Sequence, residues 1–242
     1  MAIDTDNLSE HPKPKLAVDV ALLTIREGKL HTVAIAVKPK RGYDYTYALP
    51  GGYVHLNEST QEAAARVLRD KTGLEGIFVE QLYTFSEPDR DPRGWTVSVA
   101  YYALVPEATL AGANLAPDAA IRPVVIGFAD GPAFVAGPDG HPAPLLYDHA
   151  DILGLAIKRL RGKAWYAPVA FEMVPAEFSL GDLQTVYEAI FGFALNKPAF
   201  RKRILHAGLI GPTGEKRSDA KSAFRPPKLY RFAYKPRPES PQ

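Results

Sequence analysis

The 242-residue sequence contains no cysteine. That excludes a disulfide framework, a thiolate metal site and a cysteine nucleophile, leaving carboxylates, imidazoles, hydroxyls or a metal held by oxygen and nitrogen for any chemistry. No uninterrupted apolar run approaches the roughly 18 residues that a membrane-spanning helix needs, so no membrane partner is expected. The opening stretch MAIDTDNLSEHPKPK places acidic residues where a secretion or mitochondrial signal would carry basic ones; a cytoplasmic location is the expectation. Metal-ligand spacing is also missing, because His11, His31, His55, His141, His149 and His206 are scattered singly. Each histidine reads as structural or exposed, and neither a metal nor a cofactor is expected. Disorder is excluded by composition, since 46% of the residues are hydrophobic and 23% charged. The length suits two domains better than one or three.

Net charge is small too, at +2, but it is unevenly divided. Residues 175–242 hold 12 Lys and Arg against 6 Asp and Glu, whereas residues 1–174 hold 17 against 21. This asymmetry fits an acidic or neutral domain joined to a module that meets a polyanion.

Residues 16–25 (LAVDVALLTI) and 31–37 (HTVAIAV) are apolar, β-branched runs separated by a turn-like REGK, which predicts a β-hairpin. Residues 59–72 predict a helix, with Ser59 and Glu62 spaced as a capping box and Gly73 as its stop. Further strands are expected at 76–85, 96–105 and 121–128, and a helix from Asp148 with an apolar stripe of Ile152, Leu153, Ala156, Ile157 and Leu160. The mixture indicates an α/β or α+β fold.

Two motifs carry the chemistry. In the first, Gly52, Glu58, Arg66, Leu68, Gly73 and Leu74 keep the register of the Nudix box without a gap. In that family three glutamates after the arginine hold divalent metal near a pyrophosphate; the matching positions here are Val67, Asp70 and Lys71. Valine has no ligand atom, and the Lys71 ammonium repels Mg²⁺. Glu58 is expected to pair with Arg66, and Glu62 to cap rather than ligate. No catalytic residue is assigned. Loop 86–95 adds Arg90 and Arg93, forked donors suited to phosphate, and Trp95, a stacking surface. The candidate effector contacts are therefore Arg66, Lys71, Arg90, Arg93 and Trp95. The plainer alternative for that loop is a solvated turn with internal Asp–Arg pairs.

In the second motif, Ser179-Leu180-Gly181-Asp182 opens a helix with Leu183, Val186, Tyr187, Ile190 and Phe191 on one face. Asn196 and Pro198 start a second helix that carries Phe200 and Ile204 inward. Residues 209–210 and 228–232 can pair as strands around a basic loop. This is a helix-turn-helix followed by a wing, with Lys197, Arg201, Lys202, Lys216, Arg217 and Arg225 as candidate contacts to duplex DNA. The alternative is a small capping domain with solvated cations.

Together with Phe178-Ser179-Leu180, Phe200-Arg201-Lys202, and Arg225-Pro226 with Leu229-Tyr230-Arg231, these motifs resemble the Nudix-related transcriptional regulators, NrtR, over residues 15–234. The resemblance implies a Nudix α/β/α sandwich at 15–165 and a winged helix at 166–234, with tails at 1–14 and 235–242. It implies a homodimeric repressor of NAD metabolism genes, bound to operator DNA and released by ADP-ribose or a related nucleotide; sugar-responsive relatives share the architecture. The competing reading is a Nudix-type pyrophosphatase acting on a nucleoside diphosphate derivative with an atypical metal site.

Overall fold

The computed structural model describes residues 12–127, 131–216 and 226–233. Strands β1 (Lys15–Arg26) and β2 (Lys29–Val37) form the expected hairpin. Its turn places Glu27 and Gly28 at φ 52° and 71°, and positive φ at both central residues matches the twist of the flanking strands. Strand β3 (Thr46–Ala48) pairs with β2, and β4 (Gly51–Tyr53) pairs with β1. Helix α1 (Thr60–Thr72) follows; Ser59 and Glu62 close the predicted capping box and Gly73 ends it in the left-handed region.

Strands β5 (Glu80–Phe85) and β6 (Thr96–Leu104) come next, then a short α2 (Glu107–Ala111) and strands β7 (Ala119–Ile126), β8 (Ala133–Ala136) and β9 (Pro142–Ala143). The sheet order is β5-β6-β1-β2-β7-β8-β9, with β3 and β4 attached to β2 and β1. The strand expected at 76–85 begins only at Glu80, because Gly76 takes a left-handed conformation and Phe78 stands exposed. Strand β7 starts two residues earlier than expected, and Phe128 lies outside the described residues.

Alternate residues of β1 face opposite layers, as strand geometry requires. Val18, Val20 and Leu22 pack with Ala63, Ala64, Val67 and Leu68 of α1. Ala21, Leu23 and Ile25 pack on the other side with Ile152, Leu153, Ile157 and Leu160 of α3 (His149–Lys163). The result is the expected α/β/α sandwich.

Beyond α3, a 3-10 turn (Pro168–Met173) leads to β10 (Phe178–Ser179), α4 (Leu180–Phe191), α5 (Lys197–His206), β11 (Ile210–Lys216) and β12 (Lys228–Phe232). The three strands form one small sheet, β10-β12-β11, beside the two helices. Leu183, Tyr187, Ile190, Phe200 and Ile204 form a core that is continuous with the α3 face of the large sheet. Among the described residues no helix is long and apolar enough to cross a membrane.

Candidate functional site

A cavity of about 260 Å³ opens where β1, β4, loop 86–95 and the start of α3 meet. The parallel pairing of β1 with β6 sets Asp19 beside Ser98, and α3 brings Asp148 and His149 to the same point. Arg90 is buried and forks onto Asp148 at 2.6 and 2.7 Å, with a third bond to Asp19 at 3.3 Å. Burial alone would ease proton loss from this guanidinium, but the Asp148 and Asp19 carboxylates outweigh it and raise its pKa. Asp19 also accepts from Ser98 Oγ at 2.6 Å and faces His149 Nε2 at 3.3 Å. The Leu49 amide donates to His149 Nδ1 at 2.9 Å, so the imidazole proton lies on Nε2, toward Asp19. Gly51 makes the approach possible, because any Cβ there would collide with the Asp19 carboxylate.

At the rim, Arg93 grips Asp91 through Nε and Nη2 at 3.0 and 2.8 Å and lies 5.2 Å from the Tyr147 ring centre. The Asp91 bond raises the Arg93 pKa, and Arg93 in turn lowers that of Asp91. Tyr147 has φ 51°, a conformation that a bulky residue holds only when its surroundings force it.

The Nudix-like box holds an internal clamp. Arg66 Nε bonds Glu58 Oε1 at 2.7 Å, and its Nη2 reaches Glu58 Oε2 and the Tyr53 carbonyl, each at 2.9 Å. Hydrogen bonds from Arg66 and the His55 amide lower the Glu58 carboxyl to about 2. This clamp fastens the segment after β4 to α1. Val67 is buried in the core, Asp70 points to solvent beside Arg66 and Arg69, and Lys71 Nζ lies 3.0 Å from Asp118. Among the described residues no three acidic or histidine side chains converge as an ion would need. The donor set does not fit the divalent metal of a Nudix hydrolase.

In the C-terminal unit, Ser179 and Asp182 form a capping box for α4, and Gly192 ends it at φ 79°. Glu188 accepts from Gln184 and from the Leu195 amide, both at 2.8 Å, which ties the turn before α5. Asn196 caps α5 by accepting from the Ala199 amide at 3.0 Å. Phe200 and Ile204 are buried, while Lys197, Arg201 and Lys202 are exposed. Lys197 and Arg201 of α5 and Lys228 of β12 line one cleft.

Trp165, just past α3, joins the two units. Its ring packs on Tyr187, Phe191 and Phe200 at centroid distances of 4.8, 5.4 and 6.4 Å. Arg203 of α5 sits over it at 3.8 Å, and Arg161 Nε donates to the Ile190 carbonyl at 2.8 Å. Burial among these groups pushes the Tyr187 hydroxyl up to about 12.

The family model of the NrtR DNA-binding winged helix domain matches residues 170–232. The chain is 32% identical to the ADPR responsive transcriptional repressor NtrR of Acinetobacter baylyi, over 93% of this chain and 84% of that protein. It belongs to the NrtR family. Among solved structures, NrtR of Shewanella oneidensis is 28% identical with a TM-score of 0.69, covering 90% of this chain and 94% of that one. The same protein complexed with a 27mer DNA gives 0.68, at 28% identity over 90% and 93%. A MutT/nudix family protein from Enterococcus faecalis is 25% identical with a TM-score of 0.70, over 93% and 88%.

Within this NrtR frame, three of the five expected effector contacts, Lys71, Arg90 and Arg93, line the cavity. Arg66 does not, because its donors are committed to Glu58 and Tyr53. Trp95 also lies outside the wall: it stands half-exposed just before β6, where its carbonyl accepts from the Lys15 amide at 3.0 Å. Asp19, Tyr53, Tyr147 and His149 also line the wall and were not singled out from the sequence for this role. Asp19 did carry a signal, as the one charge inside the apolar run LAVDVALLTI. Lys216 is exposed at the end of β11, opposite Lys228. Arg217 and Arg225 lie outside the described residues.

Proposed function

We propose that this chain is a DNA-binding repressor of NAD metabolism genes that releases its operator when its Nudix-derived cavity takes ADP-ribose or a related nucleotide. The observation that carries this reading is the conversion of the metal positions to Val67 and Lys71 in a chain whose α5 and wing bring Lys197, Arg201 and Lys228 to one cleft. A polyanion-binding module has been kept while the hydrolytic donor set has been replaced. Lys71 and Arg93 face the diphosphate, Tyr53 and Tyr147 offer ring surfaces, and Arg90 holds the wall through Asp148. Lys197, Arg201, Lys202 and Lys216, with Lys228, meet DNA phosphates. The protein works in the cytoplasm as a homodimer, because two recognition helices are needed to read two half-sites.

Coupling runs along α3, whose 15 residues span about 22 Å. Asp148 and His149 at its start bind the cavity wall, and Trp165 at its end is packed into α4 and α5. A nucleotide that displaces the start of α3 therefore shifts the recognition helix. Fluorescence anisotropy with duplex DNA from upstream of the gene and its neighbours tests the reading. Saturable binding that ADP-ribose reverses is expected; Mg²⁺-dependent turnover of ADP-ribose without DNA binding would favour a pyrophosphatase instead.

A further inference from the structure

We propose that Lys71 replaces the divalent metal as the counter-charge for the effector's diphosphate, so that nucleotide binding is metal-independent, and that Asp118 is its resting partner. The inference rests on the nucleotide-responsive reading above and extends it to how the anion is neutralised. A diphosphate entering a cavity of about 260 Å³ needs positive charge that can turn toward it. Two of the three cations in the wall are strongly committed. Arg90 is buried and bidentate on Asp148, and Arg93 is bidentate on Asp91. Lys71 differs: among the described residues it pairs with Asp118 alone, at 3.0 Å, and both side chains are partly open to solvent, at 31% and 44%.

Exposed pairs of this kind exchange partners at little cost. Lysine suits the task because its ammonium is a compact point charge with three donors on a flexible stem. Its position is equally informative. It lies in the last turn of α1, where the box places a metal ligand, and it reaches the cavity wall from there. Val67, one turn earlier, is buried and contributes no oxygen; Asp70 is turned outward. An ammonium at a ligand position repels a divalent ion and supplies part of its charge.

Isothermal titration of ADP-ribose into the full chain, in Mg²⁺ and in EDTA, tests this. The unaltered protein should bind equally in both. Lys71→Ala should weaken binding about tenfold or more in both buffers, while Asp118→Asn should tighten it, because it frees the ammonium and removes a nearby negative charge. Val67→Glu with Lys71→Glu should bind weakly in EDTA and recover in Mg²⁺. Binding by the unaltered protein that requires Mg²⁺, or a Lys71→Ala variant that binds like it, overturns the inference while leaving the repressor reading intact. Weaker binding by Asp118→Asn overturns the resting-partner role. Absence of binding in both buffers overturns this inference and the nucleotide-responsive reading together.

Discussion

Removing Arg90 should destabilise the Nudix-like domain, and the environment of the side chain sets the size of the loss. The guanidinium is almost wholly buried, at 3% side-chain exposure, between Asp19 at 8% and Asp148 at 18%. Truncation to alanine leaves both carboxylates without their arginine partner, a change that costs about 3–5 kcal/mol when the pair is buried. The lower end applies here. Asp19 keeps Ser98 Oγ at 2.6 Å and His149 Nε2 at 3.3 Å, and Asp148 is close enough to the surface to recruit water. A loss of about 3 kcal/mol lowers the Tm by roughly 6–12 °C for a chain of this size. Arg90→Lys keeps the charge but loses the fork, and should cost about 1–2 kcal/mol. Urea unfolding followed by circular dichroism and tryptophan fluorescence measures both variants. An alanine variant that loses less than about 1 kcal/mol would refute the structural role, and loss of nucleotide affinity with full stability would make Arg90 an effector contact instead.

Other outcomes follow from the same geometry. Glu58 is ionised down to about pH 2 in the folded chain against an ordinary 4.5; its contribution to stability is full above 4.5 and disappears as the pH falls from there to 2. Comparing acid unfolding of the protein with that of Glu58→Gln should show a difference above pH 4.5 that vanishes near 2. Replacing Arg201 or Lys228 by alanine should flatten the plot of log operator affinity against log salt by about 0.9 per lost phosphate contact; an unchanged slope would move the DNA surface elsewhere. Trp165→Ala should leave DNA binding and nucleotide binding each within a few-fold of normal while making operator affinity insensitive to ADP-ribose, as anisotropy titrations would report.

Much of the fold was legible because the signals were local. Ser59, Glu62 and Gly73 delimit α1, Ser179 and Gly192 delimit α4, and Asn196 opens α5, each through a hydrogen bond within a few residues or a left-handed φ. Strands β3, β4, β8 and β9, of two to four residues, are too short for a periodic pattern and exist because longer strands offer them partners. The cavity was legible only in part. Lys71, Arg90 and Arg93 belong to motifs, whereas the Asp19–Arg90–Asp148–His149 cluster joins three distant segments through the parallel β1–β6 pairing and the entry of α3. Spacing cannot reveal such a meeting. Arg66 shows the reverse: the motif marked it correctly as the partner of Glu58, and that same bond keeps it from the effector wall.

The central claim is that cavity and winged helix are energetically coupled, and coupling between two binding equilibria must be reciprocal. Calorimetric titration of ADP-ribose into the protein, alone and saturated with operator duplex, measures it directly. The account predicts that operator weakens nucleotide binding by the same factor by which the nucleotide weakens operator binding, a factor of about 5–150 for coupling of ordinary size. Equal nucleotide affinities with and without operator would contradict it.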